Sequence, residues 1–105
     1  MKNNSKSTTD EARNGKRDML EMMCESINAD AKKMCATRHM ILLSATPRET
    51  ALFRKQVNAH SDRIADLSLL FGCSVFTNGN NARGNLPEPE LINITQTLLN
   101  FDNNR

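Results

Sequence analysis

The residues Thr46-Pro47-Arg48-Glu49 decide the fold of this chain, because they mark a helix start more clearly than any other segment. Threonine is a favoured N-cap, and proline is best tolerated at the first helical position. Glu49, three residues after the cap, completes a capping box. Since proline disfavours helical geometry in the residue before it, the preceding helix should end near Ser44. So short a connection predicts two antiparallel helices.

The second helix of this hairpin is predicted to span residues 47–71. Its apolar stripe has residues spaced alternately four and three apart: Phe53, Val57, His60, Ile64, Leu67 and Phe71. That alternation is typical of one buried helical face. Gly72 follows as the expected left-handed stop. The polar member, His60, is interpreted as a hydrogen-bonded packing residue or a group that sets the register. At a dimer seam it would make association sensitive to pH.

The first helix is predicted to span residues 16–44, because Asn14-Gly15 weakens any earlier helix. Its stripe is formed by Leu20, Cys24, Ile27, Ala31 and Met34. We assign Leu20, Ile27 and Met34 to the core or to a dimer seam, together with the stripe of the second helix. The next position in phase is Arg38, which interrupts the apolar pattern.

The first helix is also rich in methionine. Methionine fills gaps in cores, and it is favoured on surfaces that adapt to a partner. We therefore take four of these residues as a candidate partner surface: Met19, Met22, Met23 and Met40.

The C-terminal third of the chain predicts a short helix over residues 88–100, with Leu91, Ile94 and Leu98 on one face. Residues 73–87 are expected to form an irregular loop without a sheet, because no second alternating run lies near Val75 and Phe76. Residues 1–9 are expected to be a disordered tail and 102–105 a frayed one, which leaves a single helical domain over 10–101.

Taken together, these patterns predict an all-α fold: an antiparallel two-helix hairpin plus a short C-terminal helix. One short helix leaves much of a hairpin uncovered, so a homodimeric four-helix-type bundle is the expected assembly. The alternative is a monomer in which the third helix folds back onto the hairpin.

Charge and motifs do not favour nucleic-acid binding. The net charge is only +2, and basic pairs such as Lys32-Lys33 and Arg54-Lys55 are scattered over helical faces. Residues 64–74 resemble the first helix and turn of a helix-turn-helix motif. The segment 75–84, which would supply the recognition helix, is rich in glycine and asparagine and lacks apolar periodicity.

Few residues suggest chemistry. Cys24, Cys35 and Cys73 are odd in number and lack C-x-x-C spacing. Cys35 and His39 share a helical face, but a metal site would need further ligands, so no metal or cofactor is expected. No nucleophile, zinc-protease or phosphate-loop motif is present, and no enzymatic activity is expected.

The sequence therefore predicts a small cytoplasmic protein without a signal peptide or membrane span. We expect a non-enzymatic protein–protein interaction module, acting as an adaptor, a chaperone, or an inhibitor or regulator of a larger protein machine. The alternative is a small DNA-binding transcriptional regulator that uses its basic helix faces or the partial motif at 64–74.

Overall fold

The structure is a computed structural model that describes residues 4–78 and 86–104, with side chains from residue 11 onward. Its elements, in chain order, are α1 (Asn4–Ser44), α2 (Pro47–Phe71), β1 (Thr77–Asn78), β2 (Leu91–Ile92) and α3 (Ile94–Asn103). The mainly helical character and the helical hairpin predicted from the sequence are confirmed. The molecule is elongated, with extents of 66 × 18 × 18 Å.

The hairpin turn is built by the capping box at Thr46. The Thr46 hydroxyl accepts a hydrogen bond from the Glu49 amide (3.2 Å), and the Glu49 carboxylate accepts one from the Thr46 amide (2.9 Å). At the other end of α2, Gly72 has φ = 62° and donates its amide to the Ser68 carbonyl (2.9 Å). Both ends of α2 are therefore fixed by local chemistry.

The core lies between the two helices and extends under α3. All six stripe residues of α2 are buried: Phe53, Val57, His60, Ile64, Leu67 and Phe71. Leu20, Cys24, Ile27 and Ala31 of α1 are buried opposite them, whereas Met34 is only partly buried. Ile92, Leu98 and Phe101 join the main apolar cluster, which lies at the base of the hairpin, the end away from the turn at Thr46.

The expectation that the C-terminal third contains no sheet is wrong. Strands β1 and β2 form an antiparallel ribbon in which Thr77 pairs with Ile92 and Asn78 with Leu91. Each strand has only two residues, so neither carries an alternating pattern that sequence could reveal. The ribbon is held instead by side chains remote in sequence: Asn28 of α1 binds the backbone of Ile92, and the Thr97 hydroxyl accepts the Phe76 amide (3.1 Å).

The predicted bounds of the first helix also need correction. Helix α1 begins at Asn4, not near residue 16, so it includes most of the segment expected to be a tail. Arg13 and Arg17 flank Gly15 by about half a turn on each side, and both bind the C-terminal helix. These tertiary contacts favour helical geometry across Asn14-Gly15, which propensity alone disfavours.

Helix α3 is displaced from its predicted range of 88–100. It begins at Ile94, because Leu91 and Ile92 are used in the ribbon and the Asn93 side chain caps the helix by accepting the Gln96 amide (3.1 Å). It continues to Asn103, within the segment expected to be frayed. Asp102 in that last turn is paired with Arg17.

Replacing Thr46 with alanine should destabilise the protein by about 1 kcal/mol, because it removes the N-cap oxygen of α2. Thr46→Ser keeps the oxygen and should retain most of the stability, as measured by urea unfolding.

Hydrogen bonds from Thr46 lower the pKa of Glu49 from its ordinary value of 4.5. The contribution of Glu49 is thus complete above its unfolded pKa and is lost as pH falls through the lower folded pKa. Glu49→Gln removes the titrating group, and a variant that loses as much stability on acidification as the wild type would contradict this role of Glu49.

Candidate interaction surface

One side of the hairpin is covered by the chain from Leu86 to Asn104. The side-chain amide of Asn28 binds both backbone groups of Ile92: its Nδ2 donates to the carbonyl (2.9 Å) and its Oδ1 accepts the amide (2.7 Å). Asn28 therefore acts as a neighbouring strand would, on the edge of β2 that faces α1. Without it, both buried-side backbone groups of Ile92 would lack these partners.

His60 serves the same segment from α2. It is fully buried, and its Nε2 lies 2.7 Å from the Glu90 carbonyl oxygen. Since a carbonyl only accepts, Nε2 carries the proton and donates. Nδ1 is also buried and has no hydrogen-bond partner within the described part of the chain. His60 thus packs inside its own chain, and the hypothesis that two copies of it meet at a dimer seam is wrong.

Three arginines of α1 hold the two ends of the covering segment. Arg17 pairs with Asp102 (2.9 Å), while the Arg13 guanidinium donates to the Phe101 carbonyl and lies 4.5 Å from the centre of the Phe101 ring. At the other end, Arg38 donates twice to the Leu86 carbonyl (3.2 Å each). Arg38 therefore interrupts the apolar stripe because it binds backbone at that position. Sequence reasoning missed this role, since its partner lies 48 residues away.

The described residues leave the opposite side of the hairpin open. Three hollows lie along the groove between α1 and α2, and neighbouring hollows share lining residues: Thr37 and Gln56 join the first to the second, and Arg63 joins the second to the third. Sequence spacings of four and three place the groove positions on one face of each helix. We call this surface the open face; it comprises Met19, Met23, Ser26, Asp30, Lys33, Thr37, Met40, Ser44, Leu52, Gln56, Ala59, Arg63, Asp66 and Leu70.

The open face is apolar at both ends and charged in the middle. Met40 and Leu52 line the hollow at the turn end, about 350 Å³ in volume, and Met23 and Leu70 line the one at the base, about 230 Å³. Exposed fractions are 55% for Met19, 70% for Met40, 52% for Leu52 and 63% for Leu70. Each end of the open face thus exposes two large apolar side chains to water.

Between the two apolar ends, Arg63 donates to Asp30 across the groove (2.9 Å). This hydrogen bond lowers the pKa of the Asp30 carboxyl below its ordinary value, and the charge of Arg63 adds to the effect. The pair is solvent-exposed, so alone it contributes little to stability. It does fix the charge pattern at the centre of the open face.

The four methionines of the predicted partner surface lie on two different surfaces. Met19, Met23 and Met40 belong to the open face, although Met23 is partly buried against the core. Met22 is exposed but lines none of the three hollows. Leu52 and Leu70 were not predicted as surface residues, and their spacing from the α2 stripe was the only available signal.

The cysteines and histidines are dispersed. Cys24 and Cys73 are buried, Cys35 is exposed, and all three are free thiols. Among residues 4–78 and 86–104, no group of three or more His, Cys, Asp or Glu side chains is placed to hold a metal ion.

The chain directly after α2 is not helical. Gly72 turns the backbone, residues 74–76 have no regular structure, and Thr77 and Asn78 enter the ribbon. A helix-turn-helix would need its second helix to begin here, and the remainder of that segment lies outside the described residues. In the described part of the molecule, no helix has the length and apolar character needed to cross a membrane.

Comparisons with known proteins give no match: no family model, no curated protein and no solved structure is significantly similar to this chain. The geometry of the two hairpin sides therefore carries the functional inference.

Replacing Asn28 with alanine should lower the free energy of unfolding by about 1–3 kcal/mol, because it leaves a backbone donor and acceptor of Ile92 unpaired. The same change at the exposed Asn58 of α2 is the matched control and should alter stability by less than about 0.5 kcal/mol. Hydrogen exchange should show lost protection at the Ile92 amide in the Asn28 variant only. Equal effects of the two substitutions would contradict the strand-like role of Asn28.

The three thiols should differ sharply in reactivity towards a disulfide reagent at pH 8. Burial raises the pKa of Cys24 to about 11, with Cys73, Glu21 and Glu25 nearby adding to the shift, and burial also raises the pKa of Cys73. Since the thiolate is the reactive form, only the exposed Cys35 should react quickly in the folded protein. A Cys35→Ser variant that still releases one rapid equivalent would contradict this assignment.

Proposed function

We propose that this protein is a non-enzymatic protein–protein interaction module, and that its open face binds a helical partner. The observation that carries the proposal is the exposure of Met40, Leu52 and Leu70 at the two ends of one continuous groove, with Met19 one helical turn before Met23 on the same face of α1. A face of this kind is stabilised by being covered.

The energetics support covering by a partner. Burying a methionine or leucine side chain is worth about 1.5–3 kcal/mol. Because the four side chains are 52–70% exposed in the free chain, covering them supplies roughly 4–7 kcal/mol. This gain offsets a large part of the loss of translational and rotational freedom, which costs roughly 4–15 kcal/mol. Contacts from Met23, Ala59 and the aliphatic stems of Lys33 and Arg63 would add the surplus that specific binding requires.

The shape of the groove selects the kind of partner. A groove between two antiparallel helices receives the ridge of another helix, whose apolar residues recur every three or four positions. Methionines at both ends adjust their side chains to the surface they meet, because their unbranched chains rotate readily. Adaptors, chaperones and inhibitors of larger machines act through such helical contacts.

The cysteine content supports a cytoplasmic location as part of the same proposal. Cys24, Cys35 and Cys73 are free, and an exposed free thiol such as Cys35 persists best in a reducing compartment.

The proposal is tested by site-specific photo-crosslinking in cells that express the full chain. A photo-crosslinking amino acid at Leu52 samples the open face, and the same amino acid at Leu69 samples the outer face of α2, where the side chain is also exposed. We expect discrete protein adducts from position 52 and at least tenfold less from position 69, because Leu52 lines a hollow of the open face and Leu69 lines none of its three hollows.

Two results would overturn the proposal. One is equal crosslinking from both positions, since that would indicate random collision. The other is retention of generic duplex DNA with an affinity that falls steeply as salt rises, together with no adduct from position 52, since that pattern supports the DNA-binding alternative.

A further inference from the structure

We infer that the partner that covers the open face is a second copy of this chain, lying side by side in the same direction, with α1 of each copy against α2 of the other. This inference rests on the proposed function and names its partner. The two-fold axis would run parallel to the hairpin, so that each level of the groove faces the same level of the partner.

The size of the open face suits a dimer. From Met23 to Ser44, the α1 residues that line its hollows, the groove is about 32 Å long at 1.5 Å per residue, and the molecule is 18 Å across. A contact of these dimensions covers roughly 570 Å² on each chain, or about 1,100 Å² in total, which exceeds the roughly 1,000 Å² that a specific interface needs.

The covering segment does not obstruct this contact. Asn28 and Arg38 direct the chain from Leu86 to Ile92 onto the other side of α1, and His60 does the same from α2. Residues 86–92 thus lie away from the open face, and two copies form a four-helix layer with α3 and the ribbon outside.

The apolar ends are complementary in this arrangement. Met23 and Leu70 lie at one level of the groove, and Met40 and Leu52 at another, since each pair lines a common hollow. When the copies align in the same direction, Met23 faces Leu70 of the partner subunit and Met40 faces Leu52 of the partner subunit. Both apolar ends are then buried against apolar ends.

The central charges decide the direction. With α1 against α2 of the other copy, Asp30 faces Arg63 of the partner subunit and the reverse also holds, so four charges alternate in sign. If one copy were reversed end for end, α1 would lie on α1 and α2 on α2. Asp30 would then face Lys33 of the partner subunit, but the two Arg63 side chains would approach within about 5 Å of each other along the groove. The reversed arrangement thus combines attraction on the α1 side with repulsion on the α2 side, whereas the parallel arrangement pairs opposite charges on both sides.

The first test is the mass of the full chain in solution by sedimentation equilibrium. At about 100 µM the wild type should have twice the monomer mass of 11.8 kDa. Met40→Glu with Leu52→Glu should raise the dimer dissociation constant at least 100-fold. Leu43→Glu with Leu69→Glu is the matched control: both side chains are exposed on outer surfaces, and the dimer should persist. Circular dichroism of each variant verifies that the helices are retained.

Charge exchange tests the centre of the contact without adding or removing apolar area. Asp30→Arg alone and Arg63→Asp alone should each weaken self-association at least tenfold, because each places like charges across the interface. An equimolar mixture of the two variants should recover a dimer with one copy of each, since opposite charges then face each other on both sides.

The direction is tested by pulsed electron-electron resonance on a Leu43→Cys, Cys35→Ser variant, labelled near the turn end of α1. Parallel copies place the two labels at the same end of the dimer, on the order of 20–30 Å apart. Reversed copies would separate them by about 40 Å or more, and that distance would overturn the direction we infer.

Other outcomes separate this inference from the proposed function. A monomeric wild type, or a dimer that Met40→Glu with Leu52→Glu leaves intact, overturns the self-association. In either case an adduct from position 52 with a different protein still supports an interaction module. If position 52 yields no adduct and the chain is monomeric, both proposals fail.

Discussion

The structure depends on one requirement: the backbone of an extended segment that lies on the hairpin must find hydrogen-bond partners there. Residues 86–92 have neither a helix nor a wide sheet to satisfy them. Asn28 supplies a donor and an acceptor to Ile92, His60 a donor to Glu90, and Arg38 donors to Leu86. Together with the contacts of Arg13 and Arg17 to α3, these three polar side chains fix which side of the hairpin is covered, and therefore which side remains open.

How much of this could be predicted from the sequence differs between the elements. Helix α2 was predicted with its correct ends, because the capping box, the period of its stripe and Gly72 are all local signals. The ribbon could not be predicted, because its strands have two residues each. The side chains that stabilise it are also far along the chain from the residues they bind: Asn28 binds Ile92, and Thr97 binds Phe76. For the same reason, Arg38 was interpreted as a break in the stripe of α1.

The candidate surface was predicted only in part. Composition pointed to the methionines of α1, and Met19, Met23 and Met40 do lie on the open face. The sequence could not separate Met22 from them, nor identify Leu52 and Leu70. The open face is the side of the hairpin that α3 and the ribbon leave uncovered, and their placement is not encoded locally. That placement follows from contacts such as Arg17 with Asp102, which no local pattern encodes.

The two sides of the hairpin use polar and apolar groups in opposite ways. On the covered side, polar side chains form hydrogen bonds with backbone groups, and these bonds require a specific geometry. They therefore fix the position of the covering segment along the hairpin, and with it the packing of the apolar core. On the open side, the apolar groups lie at the ends and the only ion pair, among the described groove residues, lies between them. Apolar contacts alone would tolerate several registers of a partner, whereas a central pair of opposite charges tolerates few. An arrangement with affinity at the ends and selectivity in the middle is self-complementary under a two-fold axis, and that property is the reason we propose a second copy as the partner of this surface.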